Sequence, residues 1–294
     1  MRRLILLFVL AMTFAGASAN DNKKGATVLG NPAYKEYADS LTQIGDHHFF
    51  ETGDIKKAFR SYSDAYHKGG VEAALMLARF YAEGIEVDCD MDRALELWEQ
   101  AAEAGNADAA MKLGECYMYG FGVMRYDLKK SFKWYETAYE LGATEAAYAL
   151  GLFYRGGTVV EKDEEKALKY WREAADYGMK EAQSALGLEY FEGKNTKRNI
   201  LDALKYLKMA ADQREPKAAF YAGLCCENGY GMPTEDYVSA AYYYMVAADA
   251  EVPEAQVRLA NLYFNGLGVE KNMDRGNYWL KQAQLNGFVL KSEE

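Results

Sequence analysis

The sequence predicts an all-α solenoid of about seven stacked helix pairs, and three observations carry that prediction. A twelve-residue pattern recurs as AALMLARFYAEG from Ala73, AAMKLGECYMYG from Ala109, AAYALGLFYRGG from Ala146, AQSALGLEYFEG from Ala182, AAFYAGLCCENG from Ala218 and AQVRLANLYFNG from Ala255, always 36 or 37 residues apart. Within each copy the marked residues recur at spacings of three and four, which places them on one helical face. Leu113, Gly114 and Tyr117 are one such set, and Leu150, Gly151 and Tyr154 another. A residue suited to capping a helix then precedes a second helical run in every copy. A unit of about 36 residues is too small to bury a sufficient core alone, so the copies must stack on one another.

Taken in chain order, MRRLILLFVLAMTFAGASA has the build of a secretory signal peptide. Arg2 and Arg3 form the basic start, Leu4 to Ala15 the short apolar run, and Ala17-Ser18-Ala19 the small-residue cleavage site, with cleavage expected after Ala19. No later segment offers the roughly 18 uninterrupted apolar residues of a membrane span. The expected location is therefore the periplasm or the extracellular medium, without direct membrane insertion. Residues 20–36 read as an N-terminal linker, and the solenoid is expected over 37–287. A degenerate first unit, SLTQIGDHHFFETG, starts near Ser40, and the others start near 73, 109, 146, 182, 218 and 255. Residues 288–294 form the tail.

In each unit a glycine is placed to end the first helix: Gly84, Gly120, Gly157, Gly193, Gly229 and Gly266. Asp54, Asp90, Asp127, Asp163, Asn199, Asp236 and Asn272 then cap the second helix. That helix carries residues such as Ala167, Leu168, Trp171, Ala174 and Ala175, and most copies close with another glycine, as at Gly105 and Gly178. The sequence Gly120-Phe-Gly-Val, which invites comparison with a phosphate-binding loop, recurs as Gly229-Tyr-Gly-Met and Gly266-Leu-Gly-Val between two helices. It reads as repeat punctuation, because the strand and third glycine of a dinucleotide site are missing.

With A-A-x-x-L-G-x-x-Y-x-x-G-x-G-V, a loop ending in Asp or Asn, and then K-A-x-x-W/Y and A-A-x-x-G, the chain resembles the Sel1-like repeat family over about residues 40 to 287. That resemblance to the longer-looped cousin of the tetratricopeptide repeat implies a right-handed superhelix whose function is to hold other proteins. It further implies an adaptor of the bacterial envelope or of host interaction. Unit five departs from the pattern with GKNTKRN in its loop and Arg214 in place of the closing glycine, and unit six has Glu251 there. The joins around these units are where altered geometry is expected.

Charge narrows the partners. With Arg2 and Arg3 removed, 32 basic residues remain against 44 acidic ones, a formal charge of −12. Nucleic acid needs clustered Lys and Arg and is not an expected partner. No cofactor is expected either. Asp88-Cys-Asp90-Met-Asp92 imitates the start of a calcium loop, but Arg93 stands where the sharp turn needs Gly. His47 and His48 point about 100° apart on a helix and make a poor metal pair, although Glu51 and His67 are near in the pattern. Export makes a disulfide between Cys89 and Cys116 an expectation, whereas Cys225 and Cys226 align with buried core positions. No Ser-x-x-Lys pair and no His-Glu-x-x-His motif occurs, so a β-lactam-binding or hydrolytic enzyme rests on family analogy alone.

The resemblance places the first helices on the concave face, where their outward positions would meet a protein or peptide ligand. Those positions hold Met111, Met118, Tyr148, Leu152, Leu188, Phe191, Phe220, Tyr221, Leu224 and Phe264, an apolar and aromatic set. Half of such a set packing between repeats is the bland alternative. Arg79, Lys112, Arg155 and Arg258 are expected to supply polar contacts. Tyr278, Trp279 and Phe288 make the C-terminal face a candidate for self-association. The expected function is an exported, non-enzymatic protein-binding scaffold; the alternatives are the β-lactam enzyme and an inhibitory periplasmic subunit of a membrane sensor.

Overall fold

The structure is a computed structural model that describes residues 29–289, with the exception of 124 and 195. The leader, most of the linker and all but two residues of the tail lie outside the described residues. The first pair is α1 (Lys35–Asp46) and α2 (Ile55–His67), joined through a π-helical turn, His47–Thr52. Then follow α3 (Val71–Glu83) and α4 (Met91–Glu103), α5 (Ala107–Tyr119) and α6 (Leu128–Glu140), and α7 (Ala146–Gly156) and α8 (Glu164–Asp176). The remaining pairs are α9 (Lys180–Glu192) and α10 (Ile200–Asp212), α11 (Pro216–Glu227) and α12 (Tyr237–Asp249), and α13 (Pro253–Asn265) and α14 (Met273–Leu285). Each helix packs chiefly on its partner in the pair and next on the helix that follows, the contact order of a solenoid.

Local chemistry explains why the helices start where they do. All seven expected caps form: Asp54 accepts from the backbone N–H of Lys57 at 3.1 Å, Asp90 from Arg93 at 2.9 Å, and Asp127 from both Lys129 and Lys130 at 3.1 Å. Asp163, Asn199, Asp236 and Asn272 do the same for the N–H three residues on. Each cap satisfies one of the N–H groups that a helix start leaves without a partner.

The glycine inside the first helix is a packing device. A Cβ on Gly151 would lie 2.3 Å from the Trp171 indole nitrogen, and one on Gly223 2.6 Å from the Tyr244 ring. The ring that occupies this space comes from the second helix of the same unit, not from the tyrosine further along the first helix. Trp171 and Tyr244 are thereby almost fully buried, and the Trp171 indole donates to the Tyr148 carbonyl at 3.2 Å. The first unit obeys the same rule, with Gly45 beneath Tyr62. Its longer SLTQIGDHHFFETG segment is absorbed by the π-helical turn.

The second glycine of Gly-x-Gly-Val holds neighbouring units together. A Cβ on Gly268 would lie 2.0 Å from the Tyr237 carbonyl oxygen, and one on Gly231 3.2 Å from that of Ile200. Each loop thus lies on the start of the preceding unit's second helix, and side-chain-free backbone is what the approach requires. The punctuation expected from sequence is a stacking contact.

The joins around units five and six keep the ordinary geometry. Arg214 has φ 64° and Glu251 φ 62°, the left-handed conformation that glycine adopts in the other closing turns. The turn's hydrogen bond is intact, with the Glu215 N–H reaching the Ala210 carbonyl at 3.1 Å and the Val252 N–H reaching that of Ala247 at 3.1 Å. The cost is backbone strain of about 1 kcal/mol at each residue. Two buried glutamines reinforce joins in this half of the chain. Gln183 donates to the Ala175 carbonyl and Gln256 to that of Ala248, each at 3.0 Å, and their oxygens accept from Gln213 and Asn286.

The last described helix differs from the inner second helices in composition. Where earlier second helices bury Phe132 or Leu204 against the next unit, α14 carries the exposed Asn277. Gln284, also exposed, replaces the buried Ala211 and Ala248 of the corresponding positions. Tyr278 is also exposed on α14, and Trp279 and Phe288 are half-buried.

Candidate interaction face

The outward residues of the first helices form a half-buried row. Met111 and Met118 pack on the core of the N-terminal half; Tyr148, Leu188, Phe191, Phe220, Tyr221 and Leu224 pack on that of the C-terminal half. Phe264 covers Gly276 of α14, where a Cβ would come within 2.2 Å of its ring. Leu152 alone of the ten is exposed, at 40%. These residues therefore contribute both to packing and to a surface, because each turns one side of its ring or chain to the core.

Rings extend the row from floor to rim. Phe191 lies 5.2 Å from Tyr221 edge-on, Tyr221 lies 5.4 Å from Phe220, and Phe191 lies 6.3 Å from Tyr230 in the loop after α11. The Arg198 guanidinium sits 5.8 Å above the Phe191 ring, a cation–π contact. Two exposed aromatics near this row are ones the repeat pattern did not single out. Tyr119 at the end of α5 and Phe121 in the loop after it are 64% and 61% exposed, with ring centroids 5.7 Å apart. At these repeat positions unit four carries Gly156 and Thr158 and unit two carries Glu83 and Ile85, so Tyr119 as the one aromatic at its position among the six copies was the available signal.

The four cations expected to meet a partner are already paired. Arg79 binds Glu83 at 2.9 Å, Lys112 binds Glu115 at 2.8 Å, Arg258 binds Glu227 at 3.2 Å, and Arg155 pairs with Glu189. The last pair is unusual. Glu189 is buried at a position filled in other units by Phe80, Cys116, Phe153, Cys225 or Leu262, and Arg155 stacks at 5.2 Å over Trp171. Nearby, the Tyr148 hydroxyl is held above its usual range, first by burial and then by the charges of Glu181, Tyr119 and Glu215.

The cysteines correct a sequence expectation. Cys89 and Cys116 are not bonded, and all four thiols are free. The loop of Cys89 folds back on its own unit, where its thiol meets the Ala82 carbonyl at 3.4 Å, while Cys116 is buried in α5. Burial raises the Cys116 thiol to about 11 and the Cys225 thiol to about 12. Neither is a nucleophile near neutral pH. The histidines are likewise engaged separately, His47 with Glu51 at 2.7 Å and His67 with the Ser63 carbonyl at 2.6 Å. Among the described residues no group of three His, Cys, Asp or Glu side chains is placed to hold a metal.

Comparison with known proteins joins this geometry to the repeat pattern. A profile of the Sel1 repeat matches residues 71–106, 107–142, 144–178, 180–214, 216–251 and 253–287. The chain belongs to the Sel1 repeat family. Sel1 repeat solenoids commonly serve as protein-interaction scaffolds. The profile begins after the α1–α2 pair, whose kinship with the Sel1 units rests on Gly45, Tyr62 and the Asp54 cap.

Among solved structures, the chain is similar to c5321, a protective antigen present in uropathogenic Escherichia coli strains displaying an SLR fold. The identity is 26% and the TM-score 0.77, over 86% of this chain and 55% of that one. The present chain thus spans little more than half of that protein's length. It is also similar to the Sel1 repeat protein from Oxalobacter formigenes, at 25% identity and TM-score 0.69 over 86% of this chain and 99% of that one. No curated protein matches the chain. Among the described residues no helix is long and apolar enough to cross a membrane.

Proposed function

We propose that this protein is an exported, non-enzymatic scaffold that holds a protein or peptide of the envelope or extracellular space on its first-helix face. The observation that carries the reading is the apolar surface of units three to six, where Tyr119, Phe121, Leu152 and Tyr230 stand exposed over a half-buried floor of Tyr148, Leu188 and Tyr221. Rigid aromatic rings over a packed floor lose little freedom when a partner docks, which is why such residues dominate interface energies. The leader-like residues 1–19 support a location in the periplasm or medium, and the family's scaffold role supports the binding reading.

The test is crosslinking and capture from the cell envelope with wild type and with a Tyr119→Asp, Leu152→Asp variant. Both substitutions are at exposed positions, so the variant is expected to keep its helicity and melting temperature. Capture of a defined protein by wild type, lost in the variant, supports the face as the site. Equal capture by both proteins moves the interaction elsewhere on the solenoid.

A further inference from the structure

The position just ahead of the repeated motif, in the opening turn of each first helix or beside it, holds Asp39, Glu72, Asp108, Glu145, Glu181, Lys217 and Glu254 in successive units, all exposed. The units stack one after another, so this position recurs once per unit and becomes a row along one edge of the first-helix face. Carboxylates there feel one another. Glu72 is held above its usual range, first by burial and then by Asp108, Asp39 and Asp46, against the hydrogen bond it accepts from Asn106.

A helix dipole accounts for a carboxylate in any first turn. It does not account for the balance of charge on the rest of the face. Arg79, Lys112, Arg155 and Arg258 are each neutralised within the fold, whereas Asp39, Asp108, Glu145, Glu181 and Glu254 make no ion pair among the described residues. The cations of this edge are the half-buried Lys180 and the exposed Lys217 of units five and six, together with the exposed Lys35 that opens α1. Uncompensated carboxylates of this edge, Asp108, Glu145 and Glu181, thus run along units three to five, where Glu181 and Tyr119 both act on the half-buried Tyr148.

Resting on the binding role just assigned to this face, we propose that its occupant is a basic amphipathic segment of another polypeptide. Its apolar side chains lie on Tyr119, Leu152 and Leu188, and its Lys or Arg side chains reach Asp108, Glu145 and Glu181.

The test is fluorescence anisotropy of the purified protein with a set of labelled twelve-residue peptides. Half of their positions are leucine or phenylalanine, and the rest are lysine, serine or glutamate. The lysine peptides are expected to bind about ten-fold more tightly than the glutamate peptides at low salt, with the advantage fading at about 0.5 M salt. A Glu145→Lys, Glu181→Lys variant should lose that advantage. Equal binding of lysine and glutamate peptides, weakened by Leu152→Asp in both cases, overturns the basic occupant and leaves apolar docking standing. Tighter binding of the glutamate peptides overturns the charge assignment. Failure of every peptide to bind overturns both this proposal and the peptide-binding role of the face.

Discussion

At the scale of residues, the structure separates side chains that resemble one another in sequence. Cys89 is exposed and the other three cysteines are buried, so a thiol reagent should label one cysteine in the native protein and four after unfolding in denaturant. Absence of the native thiol signal would restore the disulfide. The buried thiols and phenols also set the response to alkali. Burial raises Cys225 from an ordinary 9.0 to about 12 and pushes Tyr62 and Tyr244 well above their ordinary range, so the folded state resists their ionisation while the unfolded chain does not. For a raised value the stabilisation is complete below the unfolded value and is lost as pH climbs toward the folded one. Chemical denaturation midpoints should therefore be level below about pH 8.5 and fall progressively above it, and a midpoint still level at about pH 11 would contradict these assignments. Glu189 makes a third case. Arg155→Met removes the ion-pair partner of a buried carboxylate and should cost about 3 kcal/mol in urea unfolding, while Glu189→Leu restores the residue type of unit seven and should cost less.

At the scale of elements, the same short rules repeat with local exceptions. Gly151→Ala places a methyl group against the Trp171 indole, and overpacking of this kind should lower stability by about 1–3 kcal/mol. The closing turns respond in the opposite direction. Arg214→Gly and Glu251→Gly relieve left-handed strain of about 1 kcal/mol each, offset in part by glycine's greater unfolded-state entropy, so a small rise in melting temperature is expected. A fall in melting temperature would show that these side chains stabilise the join by more than the strain costs. The last helix tests how a solenoid ends. An Asn277→Leu, Gln284→Ala variant recreates the stacking surface of an inner unit and should convert the protein to concentration-dependent oligomers in analytical ultracentrifugation. A variant that sediments as wild type does would show that these two polar residues do not block stacking.

At the scale of the whole molecule, stability is expected to spread along the array, because each unit touches only its neighbours. Amides of α7 to α10, flanked on both sides, should exchange more slowly than those of α1 and α14, and uniform protection would mean that the stack melts as one body. The sequence by itself determined the helix pairs, their period, all seven caps and the glycine-closed turns, because each depends on chemistry within a few residues of the backbone it controls. It also placed Tyr148, Leu188 and Tyr221 on the outward side of the first helices. Tertiary structure decided the rest. Only stacking could show that Gly268 meets the preceding unit, that the rings resting on Gly151 and Gly223 come from the second helix, and that the loop of Cys89 turns away from Cys116. Only the packed face could reveal that Arg79, Lys112, Arg155 and Arg258 are spent on glutamates, whereas Asp108, Glu145 and Glu181 make no ion pair among the described residues. Periodicity assigns a side chain to one face of its own helix, but its exposure and its ionic partner depend on the neighbouring helices that meet it in space.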